Sequence, residues 1–144
     1  MVIQVEKSVR KRRGEAGTSI IEATIVLPLI ILLVFATAEF GISFTRWNSL
    51  TNAVREGARA GVVFRSPCDA GPVTTLIETT VADFADSSGI DPATITTVVT
   101  GACAGTGTQL TVSSTVPYNY VALSALADLA PSTDLRARSV MRNE

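Results

Sequence analysis

Apolar residues run almost without a break from Ile20 to Ala38, interrupted only by Glu22, Thr24, Pro28 and Thr37. As a helix this stretch rises about 28 Å, close to the roughly 30 Å of a bilayer's hydrocarbon core. It predicts one transmembrane helix over 18–38, and no other stretch of the chain could span a membrane. From Glu39 to Val63 there is no proline, and Phe40, Phe44, Trp47, Leu50 and Val54 recur near helical spacing. The helix is therefore expected to continue as an amphipathic stem over 39–65. Phe44 and Trp47 suit an aromatic belt at the outer leaflet, with Arg46 just beyond it.

Ala53, Gly57 and Gly61 recur every four residues and form a smooth stripe where another element can approach closely. The alternative is a helix losing propensity toward its end, since Gly costs about 1 kcal/mol relative to Ala. Arg55, Glu56 and Arg59 fall on other faces and read as solvated. Ser66 to Pro72 breaks the pattern and opens a head domain over 66–144, with Pro72 suited to a first helical turn. Val73, Leu76, Ile77, Val81 and Phe84 mark one face of a helix over about 73–86. Asp91-Pro92 reads as a turn.

After that turn the period shortens. Thr94 to Thr100 is β-branched throughout, and Gln109 to Val116 alternates polar and apolar in its first half. Gly101 to Gly107 forms a turn around Cys103. Pro117 ends the second strand or marks an edge. Tyr118 to Leu129, with Val121, Ala122, Leu126 and Leu129 at helical spacing, suggests a short helix or packed loop. Leu135, Ala137, Ser139 and Met141 alternate with Arg136, Arg138, Val140 and Arg142, as in an edge strand whose arginines discourage aggregation. The fold class is α+β: a long N-terminal helix, then a small head with one helix on a sheet of about three antiparallel strands.

Charge orients this arrangement. Residues 1–17 carry Lys7, Arg10, Lys11, Arg12 and Arg13 against Glu6 and Glu15, whereas residues 66–144 carry eight acids against three arginines. Basic residues flanking a first apolar helix stay on the cytoplasmic side. The leader over 1–17 is then a disordered cytoplasmic segment and the head is extracytoplasmic. A basic run this short beside a membrane segment gives no support to a nucleic-acid partner. Ala36-Thr37-Ala38 also fits the small-x-small pattern of a secretory cleavage site, which would release a product beginning at Glu39.

Glu22 is the costly residue, at about 2.5–3.5 kcal/mol near the centre of a bilayer. It either sits near the headgroups, snorkelling or protonated, or it has a partner. Pro28 removes one helix hydrogen bond and is expected to kink or loosen the span.

A basic leader, Gly17, a few small or apolar residues, Glu22 and a long apolar run together resemble the processing site of type IV pilins and pseudopilins. Gly17-Thr18-Ser19-Ile20-Ile21-Glu22-Ala23 with Val26-Leu27-Pro28-Leu29 resembles the TadE-like family of the tight-adherence pilus system. The resemblance continues through Glu39-Phe40-Gly41, Thr51-Asn52-Ala53 and Arg55 to Gly61, with a fainter echo at Ala137 to Arg142. Many members carry an aromatic after the acid, where this chain has Ala23. The resemblance implies a minor pilin-like subunit in the cytoplasmic membrane, cut between Gly17 and Thr18 by a prepilin peptidase. It also implies pilin-like subunits and the assembly platform as partners. Glu22 would then act in assembly. A permanently anchored extracytoplasmic structural or receptor protein, never cleaved, is the competing reading.

No catalytic constellation is visible. There is no histidine, and the cluster Asp83, Asp86, Ser87 and Ser88 lacks a base. Two cysteines are too few for a structural zinc site, and Asp69 and Asp91 lack EF-hand spacing. No enzyme activity, cofactor or metal is expected. In an extracytoplasmic domain of this size Cys68 and Cys103 are expected to form one disulfide, the alternative being free or intermolecularly paired thiols.

Overall fold

The computed structural model describes residues 3–63, 67–120 and 132–143, with side chains from Gly17 onward. Its first element is a single helix, α1, over Ile3–Val62. The helix thus begins inside the basic leader, which was expected to be disordered. Among the described residues α1 is the one helix long and apolar enough to cross a membrane.

The chain divides into two compact units at the Ala38–Glu39 boundary. In the first unit the large apolar side chains from Ile20 to Phe35 are exposed along α1. The second unit holds the remainder of α1 together with the head, so the stem and the head share one core.

Helix α2 spans Ala70–Ser87. Its N-cap is Asp69, whose carboxylate accepts from the Gly71 N–H at 3.0 Å, and this satisfies one of the amides a helix start leaves without a partner. Pro72 follows within the first turn, where a missing N–H costs nothing. A one-turn 3-10 helix, Pro92–Thr94, is capped in the same manner by Asp91.

Three antiparallel strands follow: β1 (Thr96–Thr100), β2 (Gln109–Tyr118) and β3 (Thr133–Arg142), in spatial order β1-β2-β3. Thr96 pairs with Thr115 and Thr100 with Thr111, while Gln109 pairs with Arg142 and Tyr118 with Thr133. The β1–β2 turn needs Gly101, since a Cβ there would run into the carbonyl of Gln109.

Pro117 does not end β2. At its position β1 has already stopped, and Pro117 pairs with Asp134 of β3 alone. A residue without an N–H is tolerated where one flank of the strand is open. The alternation also persists beyond the first half of β2, because Ser114 occupies a buried place between Val112 and Val116. Its hydroxyl lies 2.9 Å from that of Thr97, so the polar atom is satisfied.

Stem and α2 cover one face of the sheet. Leu50, Ala53, Val54 and Ala58 of α1 meet Val73, Ile77, Val81 and Ala85 of α2, with Leu110, Val112, Val116 and Ala137 beneath them. The buried stripe of the stem therefore begins at Leu50. Phe40 and Phe44, expected to share that stripe, are exposed. β3 presents Ala137 and Ser139 inward and Arg136, Arg138, Val140 and Arg142 outward. The segment read as a helix or packed loop lies from residue 121 onward outside the described residues, and Tyr118 itself belongs to β2.

Candidate functional site

Gly17, Thr18 and Glu22 all lie on α1 in the first unit, exposed and within an unbroken helix. The helix also continues through Pro28, which has no N–H for the carbonyl of Thr24. Thr24 Oγ1 in turn donates to the carbonyl of Ile20 at 2.7 Å, keeping its hydroxyl off the apolar surface. Glu22 is the one acid between Ile20 and Ala38, and it stands among lipid-compatible side chains.

The second unit opens with another acid. Glu39 is 2 % exposed, and the phenol of Tyr118, at the end of β2, donates to its Oε1 at 2.7 Å. Burial pushes the Tyr118 phenol up to about 12, and the hydrogen bond to Glu39 and that carboxylate's charge push the same way. The Arg46 guanidinium, 5.5 Å from the centre of the Tyr118 ring, pulls against them. Tyr120 meets Tyr118 edge to face at 5.2 Å. About two helical turns beyond Glu39, the indole N–H of Trp47 donates to the carbonyl of Arg136 in β3 at 3.1 Å. Trp47 thus has a protein partner, whereas the sequence suggested only the lipid boundary.

Close approach is concentrated further along the stem. A Cβ on Gly57 would lie 2.5 Å from Val81 Cγ2 and 3.2 Å from the carbonyl oxygen of Ile77. One on Gly61 would lie 2.5 Å from Ile77 Cδ1 and 2.8 Å from Leu110 Cδ2. Ala53, one step earlier, is fully buried. These three residues lie on the face of α1 that α2 and β2 occupy.

Residues 17–59 match the TadE-like protein family model. Neither a curated protein nor a solved structure matches the chain. The TadE-like stretch contains Gly17, Thr18, Glu22, Pro28, Glu39, Ala53 and Gly57, and it stops before Gly61, α2 and the sheet. Glu39 therefore lies inside the family's stretch and its partner Tyr118 outside it. Sequence reading singled out Glu22 and passed over Glu39, although Glu39-Phe40-Gly41 belongs to the resemblance. The missing signal was a partner 79 residues away.

Cys68 and Cys103 are joined by a disulfide with Cα atoms 5.7 Å apart. It ties the start of α2 to the β1–β2 turn. Asn143, which carries no sequence signal, holds that turn from the other side. Its Nδ2 donates to the carbonyl of Gly101 and to Thr108 Oγ1, each at 2.9 Å, and its backbone exchanges bonds with Thr108 and Gly107. Among the described residues no cluster of three His, Cys, Asp or Glu side chains could hold a metal ion.

Proposed function

We propose that this protein is a minor pilin-like subunit for assembly of a tight-adherence pilus or a related secretion filament. The observation that carries the reading is the TadE-like match over a helix whose apolar surface from Ile20 to Phe35 is exposed along its length. Such a surface suits lipid before assembly and neighbouring helices afterwards. In this reading the N-terminus lies on the cytoplasmic side of the inner membrane and the head on the other, and the basic leader supports that orientation.

In this proposal a prepilin peptidase cuts between Gly17 and Thr18. The freed ammonium of Thr18 on one subunit then neutralises Glu22 of its neighbour inside a low-dielectric helix bundle. A lone carboxylate there is costly, so uncut subunits are disfavoured and recruitment selects processed ones. Pro28 lowers the cost of loosening the helix as it leaves the bilayer. The test is Glu22→Ala together with the N-terminal mass of the protein taken from native membranes. A chain beginning at Thr18, and a variant that inserts yet fails to assemble, support the proposal. Full pilus activity in the variant overturns it.

A second reading is favoured by one observation, the continuity of α1 across Gly17 and Thr18. A protein that keeps this helix intact is a permanent single-pass anchor for the head. In that case the isolated chain retains its leader, and Glu22→Gln has no effect on assembly.

A further inference from the structure

We propose that the exposed face of the sheet, at Arg138 and Arg142, docks the acidic outer face of α2 from a second copy of this chain. The two faces differ in charge. Outward along β3 stand Arg136, Arg138 and Arg142; Arg136 is paired with Asp134 at 3.2 Å, and no ion pair engages Arg138 or Arg142 among the described residues. Helix α2 turns Glu78, Asp83 and Asp86 to solvent and contains no basic residue.

Within one chain these faces cannot meet. The inner side of α2 packs on the inner face of the sheet through Ile77, Val81 and Leu110, and the arginines project from the opposite face. Between chains they can meet, with helix on sheet, and the contact is heterologous, so it repeats from copy to copy. The spacings agree: Glu78 and Asp86 are about 12 Å apart along a helix, and Arg138 and Arg142 about 14 Å along a strand. Each face also exposes apolar groups, Leu76 beside Asp83 on α2, Val98 and Val140 on the sheet.

Size sets where the contact works. Three strands spaced about 4.8 Å apart and up to about 34 Å long offer on the order of 500 Å², below the roughly 800 Å² per partner of stable complexes. The contact is therefore weak between free molecules and forms where heads are held at high local concentration. It rests on the pilin-like reading only for the source of that crowding.

The test uses full-length chains, labelled separately with donor and acceptor fluorophores and reconstituted together in phosphatidylcholine vesicles. Arg138→Glu with Arg142→Glu weakens association about tenfold, as does Glu78→Arg with Asp86→Arg, and combining all four restores it. Thermal unfolding of each variant verifies that it is folded. No loss in either double variant, or no recovery in the combination, overturns the proposal. If the arginine variants matter only in vesicles of anionic lipid and the acid variants not at all, the face binds lipid headgroups and copy docking is wrong. No peptidase or pilus component is present, so this outcome and that of Glu22→Ala fail independently.

Discussion

The phenol of Tyr118 donates to the buried carboxylate of Glu39 across 79 residues of sequence. This bond joins the first residue of the second compact unit to the last residue of the central strand. Removing the donor by Tyr118→Phe leaves a buried acceptor short of one bond. A loss of about 1–3 kcal/mol is expected, measured as a lower midpoint in thermal unfolding of the full chain. Glu39→Gln keeps an acceptor and should lose less. Equal losses would show that charge, rather than the hydrogen bond, holds the pair.

The same phenol gives a signed pH dependence. The folded chain keeps its proton to about 12, whereas an unfolded tyrosine releases it near 10. This contribution is fully present below pH 10 and is lost as pH rises from 10 toward 12. Thermal midpoints across it should fall more steeply for the native protein than for Tyr118→Phe.

Gly57→Ala raises helix propensity by up to about 1 kcal/mol and should still destabilise. The added methyl meets Val81, a β-branched side chain with little rotamer freedom, and the backbone carbonyl of Ile77. A net loss of about 1–3 kcal/mol is expected. Gly61→Ala meets side-chain atoms alone, Ile77 Cδ1 and Cγ1 and Leu110 Cδ2, and no backbone, so it should cost less. Urea midpoints of the two variants check the order.

Opening the disulfide frees a loop of 35 residues. In the chain-entropy view that removes about 4 kcal/mol. Cys68→Ala with Cys103→Ala should therefore lower the unfolding midpoint of the head by a large margin, and reductant should do the same to the native protein.

Asn143→Ala deletes two side-chain bonds to the β1–β2 turn. Faster amide hydrogen exchange through 101–108 is expected, with little change in α2. Uniform acceleration across the head would instead mean that Asn143 supports the whole core.

Elements with a strong local period were legible in the sequence. The apolar span, α2 and the alternation of β3 all follow from residues a few positions apart, and the stripe of Ala53, Gly57 and Gly61 follows from a spacing of four. What escaped depends on distant partners. Glu39 looked like the end of a membrane helix until Tyr118 supplied its donor. Trp47 had the composition of a lipid-facing belt, and its bond to Arg136 is invisible from either residue alone. Ser114 hid the second half of the alternation in β2, because a serine reads as exposed unless its partner Thr97 is known. Pro117 left open a strand end or an edge, and strand order decided for an open flank, which local sequence does not encode.

Gly57 and Gly61 bring the stem so close to α2 and β2 that the stem supplies one wall of the head's interior. That wall is synthesised first. Leu50 to Gly61 leave the ribosome some fifty residues before Leu110 and Val112 exist to meet them. During that interval only α2 can cover the apolar flank of the stem. The head can therefore close only as a late event, after β2 arrives, and a fragment beginning beyond Val62 would leave the sheet covered by α2 alone.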